Sequence, residues 1–504
     1  MEIVESVFKL YHIALENLLP MLHKKHKKSY IGAAISLVFL QQIYSYFRAP
    51  KHLRHMPIIP YFPMVKSLLN HELAYNRFKR MILPAIRKNN GIYVVCTDDT
   101  YPKSHDMLTK LGSDSPLVQL IGYDNILISN GHIWKNQRKL ITPAFHRSMP
   151  IKTVSSVIFD LFSAIEKENG TISIAPKMKD FTLDALGLTL FGFDFKALKG
   201  DPDEWTKVFR QGIQVAMDPF LNVLSPIYSV LSFIFPEKRR QMKAVIKLNG
   251  KIHQMVKQKR TEVMSGAYSD IPENEKDLVV LMLEAERRGE GITSDLQLRN
   301  NMALLLLAGH DTTATALSFC FYNIGKNKHV QQRLRKEIIS VLGDEPVDIV
   351  PTLEQLKEMS YMNLVIQENL RLNEPLNYLI PRVAKKDMVV DDILIPKGTT
   401  INFDIYGIHH NPKYWSNPNQ FIPERFAKGG EHESHEGLTW LPFGDGSRRC
   451  IGMNFSMFQQ RLVLTMIIRK YEIDISKDAN DRRHVAGFKT KSRGSPKLTF
   501  TKRY

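Results

Sequence analysis

The sequence predicts a mainly α fold with a minor β region, carried by one globular domain behind an N-terminal membrane-anchor candidate. Three observations lead there. Over residues 70–372 most segments repeat apolar residues at helical spacing. Within residues 388–403 two short apolar runs flank Pro396-Lys397-Gly398, the pattern of a hairpin. No internal repeat or low-complexity tract is evident across the 504 residues, and a content of 43% hydrophobic and 24% charged residues suits a globular chain with a sizeable core.

In chain order, residues 1–28 come first as an amphipathic and basic leader. Ile3, Val7, Leu10, Tyr11, Ala14, Leu18 and Leu22 fall at helical spacing, and the basic run His23-Lys24-Lys25-His26-Lys27-Lys28 follows. Such a leader suits a membrane surface, or a segment without fixed structure. Residues 29–47 are nineteen positions without a charge, which as a helix reach about 28 Å, near the thickness of a bilayer core. Gln41 and Gln42 interrupt the run, and no small-residue cleavage site follows it. A retained transmembrane anchor is expected, rather than a removed signal peptide. Lys24, Lys25, Lys27 and Lys28 precede it and Arg48, Lys51 and Arg54 follow, so flanking charge does not orient it. Residues 48–66, with Pro57, Pro60 and Pro63, cannot continue a helix and read as a stiff hinge. The globular domain occupies residues 67–504.

The net charge of +18 is spread along the chain, with no nucleic-acid module around it. A membrane surface or an acidic protein partner is expected, and no nucleic acid. The only cysteines are Cys96, Cys320 and Cys450, without a C-x-x-C pair. Neither a disulfide framework nor a zinc site is indicated, and a reducing, cytosol-facing compartment fits best.

Four segments carry chemistry. Trp134-Lys135-Asn136-Gln137-Arg138 sets an indole and a guanidinium one helical turn apart, on one face. Residues 301–319 form a long apolar helical stretch interrupted by Ala308-Gly309-His310-Asp311-Thr312-Thr313. Glycine and a back-bonding threonine weaken a helix, so this interruption is expected to open the helix and leave room for a small ligand. In isolation, Thr312 reads equally as a back-bonded helix residue and Asp311 as a salt-bridge partner. Glu368 and Arg371 stand three apart and pair on one helix face, upstream of Pro423-Glu424-Arg425-Phe426. Last, Phe443-Gly444-Asp445-Gly446-Ser447-Arg448-Arg449-Cys450-Ile451-Gly452 places a cysteine in a glycine-hinged, doubly basic loop ahead of a helix. Cations and a helix N-terminus stabilise a thiolate, so the loop suits a metal-bound sulfur; a small buried hydrophobe is the plainer alternative. A dinucleotide loop is excluded, because Arg449 stands where the third glycine belongs.

Phe443, Gly446, Arg448, Cys450 and Gly452 resemble, at the same spacing, the heme-binding signature of the cytochrome P-450 family. The other segments match that family in order and over nearly the whole chain beyond the anchor. The resemblance implies a cytochrome P-450 fold in which heme b, iron protoporphyrin IX, lies between a long central helix and the cysteine loop. Cys450 would be the iron ligand, with Phe443, Gly452, Ala308 and Gly309 beside the ring. Trp134, Arg138, Arg382 and Arg448 would bind its propionates, and Arg449 falls at a variable position. Asp311 would relay protons and Thr312 would position them, with His310 structural or pocket-lining. Glu368, Arg371 and Arg425 would form a buried triad that holds the cysteine loop in shape. Gln459 and Ser456 depart from the commoner Glu and Ala, at positions without a chemical role.

The function so implied is a monooxygenase of eukaryotic microsomal type, in the endoplasmic reticulum membrane with its catalytic domain facing the cytosol. It would insert one oxygen atom from O2 into a hydrophobic small molecule. No flavin or nicotinamide fingerprint is present, so electrons would come from a separate NADPH–cytochrome P-450 reductase, with cytochrome b5 as a further donor. The substrate pocket would draw on residues 117–123, 303–312, 376–380 and the turn at Gly487-Phe488, with residues 221–235 as an entrance or as core. These apolar segments do not separate steroid, fatty acid, terpenoid and xenobiotic. An isomerase or dehydratase needing no external electrons is one alternative, which the Asp311-Thr312 pair disfavours; a non-catalytic heme sensor is another.

Overall fold

The computed structural model describes residues 58–59, 63, 66, 78–84, 94–95, 115–147, 149–199, 204–217, 236–291, 294–390, 392–476 and 495–504. The anchor candidate, Cys96, residues 221–235 and the Gly487-Phe488 turn lie outside them. Two compact units divide at residues 101 and 102. In the first, strand β1 (Ile58–Ile59) pairs in parallel with β2 (Val94–Val95).

The second unit is mainly helical. It opens with α1 (Pro116–Ile121), α2 (Gly131–Arg147) and α3 (Ile151–Lys167), followed by strand β3 (Thr171–Ser173). Next come α4 (Ile174–Phe191), α5 (Glu204–Ala216), α6 (Pro236–Met264), α7 (Leu278–Arg287) and the 32-residue α8 (Asp295–Lys326). Then follow α9 (Lys328–Leu342), α10 (Leu353–Glu358) and α11 (Ser360–Leu372), succeeded by strands β4 (Arg382–Val383), β5 (Met388–Val390), β6 (Ile393–Ile395) and β7 (Thr400–Ile401). Helix α12 (Ile405–His409), the cysteine loop, α13 (Met453–Lys470), β8 (Tyr471–Ile475) and β9 (Lys497–Lys502) complete the unit.

Helix α8 is the spine. A capping box of Ser294 and Gln297 fixes its start. Leu304, Leu305, Leu306 and Leu307 are all buried, although successive residues point to every side of a helix. Only a helix enclosed on all sides sustains that pattern. It is long and apolar enough to cross a bilayer, yet 67% of its most apolar window is buried inside the protein, as befits a core helix.

Two expectations are corrected. The hairpin turns between Val390 and Ile393, with β5 paired to β6 and Asp392 at φ +61°, while Pro396-Lys397-Gly398 leads to β7, which pairs with β4. An aspartate tolerates the left-handed backbone that such a turn needs, and without a following glycine it gives a weak signal. Nor does the interruption at Gly309 open α8, which runs helical through it. A Cβ on Gly309 would lie 3.2 Å from the Leu186 methyls of α4, so this glycine admits a close helix–helix approach.

Candidate cofactor site

The cysteine loop is built on backbone freedom. Gly444 and Gly446 adopt φ of +65° and +69°, which other residues adopt only at a cost. Their turns are closed by hydrogen bonds from Gly444 N–H to Leu441 O (3.1 Å), from Arg449 N–H to Gly446 O (3.1 Å) and from Cys450 N–H to Phe443 O (2.9 Å). Gly452 is the N-cap of α13. Cys450 is accessible at the surface. It is nevertheless so enclosed by protein that burial is the main influence on its thiol, pushing the pKa up. A side chain both accessible and enclosed lies in a concavity. The Gly452 N–H, Arg138 and Arg449 act in the opposite direction and favour the thiolate.

Arg449 therefore keeps the electrostatic effect on sulfur that its variable position in the motif argues against. Arg448 is not among those influences. Its guanidinium lies 4.1 Å over the Trp134 ring and donates to Ser129 O (2.9 Å), Asn130 Oδ1 (2.9 Å) and Ile126 O (3.4 Å). Arg138 Nη1 donates to Arg449 O at 3.0 Å, tying α2 to the loop.

Arg448 feels both Arg382 and Arg138. Burial, then Arg382, then Arg138 lower Arg448 to about 10. Burial also lowers Arg382 and Arg138, and no carboxylate figures among the influences on any of the three. Three half-buried cations converging without an acid are costly unless an anion joins them. A porphyrin with two carboxylates fits this cluster, and an accessible sulfur in the adjoining loop fits its iron.

On α8, Ala308 is exposed and Gly309, Thr312 and Thr315 are half-buried, at helical spacing, just after residues 300–307, which are all buried. Thr312 Oγ1 donates to Ala308 O at 2.6 Å, and Asp311 forms a 2.7 Å ion pair with Lys179 of α4. Both are the structural arrangements open to these residues from sequence alone. Lys179 carried no signal of its own, being one lysine among many. His310 is buried edge-on against Phe209 of α5, with ring centroids 5.1 Å apart, and its Nδ1 has no hydrogen-bond partner. Burial lowers it to about 4, with Asp311 opposing. It packs into the protein as a neutral ring.

Ser456 and Thr313 hydroxyls lie 3.2 Å apart, joining α13 to α8. The departure at Ser456 is thus a structural contact that its motif position did not reveal. Leu379 packs its methyls within 3.6 Å of the Cβ position of Gly444, so residues 376–380 adjoin the cysteine loop.

Glu368, Arg371 and Arg425 meet as a buried cluster. Arg371 Nε and Nη2 donate to Glu368 Oε2 (2.7 Å) and Oε1 (2.9 Å), and Arg425 Nε donates to Oε1 at 3.3 Å. Glu431, unforeseen, pairs with Arg425 and balances the two guanidiniums with two carboxylates. Arg371 also donates to the carbonyls of His409 (2.7 Å), Pro418 (2.9 Å) and Gln420 (3.2 Å).

The family model described as Cytochrome P450 matches residues 114–494. Among curated relatives, cytochrome P450 3A7 of Homo sapiens is 28% identical over 372 residues, covering 70% of each chain. Cytochrome P450 4A7 of Oryctolagus cuniculus is 27% identical over 401 residues, covering 76% of each. The crystal structure of the cytochrome P450DA heme domain superposes with a TM-score of 0.65 at 22% identity, covering 80% of this chain and 84% of that one. At that identity the likeness concerns the fold.

Proposed function

The chain belongs to the cytochrome P450 family, and from that membership we propose that it is a heme-thiolate monooxygenase inserting one atom of O2 into a hydrophobic small molecule. Its strongest support is the accessible but enclosed Cys450 beside three arginines that no carboxylate neutralises. Heme b, when bound, supplies the capacity to activate dioxygen, which no side chain has.

The chain's own residues then divide the remaining work. Cys450 presents its sulfur as the ligand, and the Gly452 N–H, Arg138 and Arg449 favour the thiolate. Arg138, Arg382 and Arg448 hold the two carboxylates, and Trp134 keeps Arg448 in place by stacking. The face of Ala308 and Thr312 lines the oxygen side. Thr312 donates its hydrogen to Ala308 O, which leaves its own oxygen free to accept a proton donor from that face. Asp311, whose Oδ1 pairs with Lys179, relays protons on that side.

Electrons come from NADPH through a separate reductase, with cytochrome b5 as a further donor. The net charge of +18 suits an acidic donor surface, so turnover falls as ionic strength rises. Residues 29–47 serve as the membrane anchor, residues 48–66 as the hinge and residues 67–504 as the catalytic domain, facing the cytosol from the endoplasmic reticulum.

The test is spectroscopic, then kinetic. Reduced protein under carbon monoxide gives the Soret band of a thiolate-ligated heme, and Cys450→Ser abolishes it. With reductase present, NADPH consumption yields hydroxylated product. A wild-type protein without the thiolate band would refute the heme-thiolate reading. A normal band with peroxide rearrangement independent of reductase would replace the monooxygenase with an isomerase.

A further inference from the structure

The Glu368–Arg371–Arg425 cluster is expected to shape the cysteine loop, yet among the described residues it makes no hydrogen bond to it. Its hydrogen bonds among the described residues end on residues 409, 416–418, 420, 422 and 431, none within the loop of residues 443–452. One residue spans the gap. His409, at the end of α12, accepts from Arg371 through its carbonyl, and its ring Nε2 accepts from the Leu441 N–H at 2.9 Å. Leu441 in turn accepts from Gly444 N–H at the first turn of the loop.

That contact fixes the chemistry of the imidazole. An Nε2 that accepts a hydrogen bond carries no hydrogen, which rules out the imidazolium and puts the hydrogen of a neutral ring on Nδ1. Nδ1 faces Glu374 Oε2 at 4.0 Å. His409 is 0% exposed and Glu374 4%, and neither facing atom has another partner. Burial lowers His409 far below the usual imidazole range, and it raises the Glu374 carboxyl well above the carboxylate range, with Asp404 adding to the effect. Two neutral groups are left, one with a hydrogen to donate and the other with a carbonyl oxygen to accept it. Their separation is closed by an adjustment of about 1 Å or spanned by one water.

We propose that Glu374 and His409 are a positioning pair for the cysteine loop. Glu374 holds the imidazole hydrogen on Nδ1, Nε2 stays free to accept from Leu441, and the order of the buried ion cluster thereby passes to the loop that carries Cys450. Neither residue touches substrate or cofactor. The inference rests on Cys450 being the heme ligand for its functional meaning, but not for the hydrogen-bond relay itself.

Hydrogen–deuterium exchange of the full-length holoprotein, read on the peptide containing Leu441, tests the relay directly; the ferrous–carbon monoxide spectrum tests its consequence. Glu374→Leu and His409→Phe should speed exchange at Leu441 about tenfold, the loss of roughly one buried hydrogen bond. Part of the Soret intensity should move to the form lacking thiolate, while exchange in α4 and α7 stays unchanged. Glu374→Gln, whose amide carbonyl still accepts from Nδ1–H, should keep both signatures, and His409→Gln should recover part of the protection. The pair is refuted if Glu374→Leu matches wild type in exchange and spectrum. It is equally refuted if Glu374→Gln fails as badly as Glu374→Leu, or if protection is lost evenly across the protein. Should His409→Phe fail to fold, the two Glu374 variants decide alone. A wild-type protein lacking the thiolate band would sink the heme reading, and exchange at Leu441 would still judge the relay.

Discussion

Replacing Arg371 with methionine removes the centre of the buried ion cluster while keeping most of its volume. The guanidinium makes five hydrogen bonds, two to Glu368 and three to the carbonyls of His409, Pro418 and Gln420. Without it, Glu368 keeps only the longer contact from Arg425 and the Ile422 N–H, inside a site with no solvent access. Stranding one partner of a buried ion pair costs about 3–5 kcal/mol, and each orphaned carbonyl adds about 1 kcal/mol. The total, about 6–8 kcal/mol, rivals the whole stability of an ordinary domain, about 5–15 kcal/mol. Arg371→Lys should lose less, because an ammonium preserves the charge but cannot fork to all five acceptors. Urea unfolding followed by tryptophan fluorescence, with the ferrous–carbon monoxide spectrum alongside, measures both variants. An Arg371→Met protein with a wild-type spectrum and stability within about 1 kcal/mol of wild type would refute this account of the cluster.

Other perturbations reach different parts of the molecule. Thr312→Ala should keep the thiolate band but spend NADPH on hydrogen peroxide, measured as the ratio of peroxide to product. Asp184, which accepts from the Ala197 and Leu198 N–H groups, has its carboxyl pushed by burial from 3.8 to about 6. The folded protein therefore holds this proton up to about pH 6, whereas the unfolded chain releases it near 3.8, so stability falls as pH rises between the two values. That amounts to about 3 kcal/mol. Asp184→Asn cannot titrate, so its stability relative to wild type should climb from pH 4 to pH 7 in urea titrations. Gly309→Val should cost about 1–3 kcal/mol of thermal stability by crowding Leu186, with the thiolate band intact.

What was legible in the sequence was local. The glycines of the cysteine loop announced a hinge, and Gly444 and Gly446 supply it with left-handed backbone. The (i, i+3) spacing of Glu368 and Arg371 announced a pair, which forms at 2.7 Å. The contacts that were not legible depend on segments far apart in the chain. Nothing near Asp311 pointed to Lys179, and the motif favoured Arg448 over Arg449, whereas it is Arg449 that acts on the sulfur and Arg448 that turns to Trp134. Glu374 and His409 were silent because the significance of a buried acid and a buried imidazole lies in what each lacks, and only coordinates reveal that.

The three-stranded sheet places β9 between β3 and β8. The central strand is thus the one the ribosome makes after every other element described, and both neighbours wait for it with open hydrogen-bonding edges. Until it arrives, β8 has no partner strand, and the C-terminal end of α13 lacks the clasp in which the Arg503 N–H reaches Lys470 O at 3.0 Å and its guanidinium reaches Arg469 O at 2.8 Å. The helix that follows the cysteine loop gains these last contacts only when synthesis has passed residue 503. Nascent chains stalled before β9 should therefore expose two unpaired edges, the kind of surface that chaperones hold and aggregates recruit.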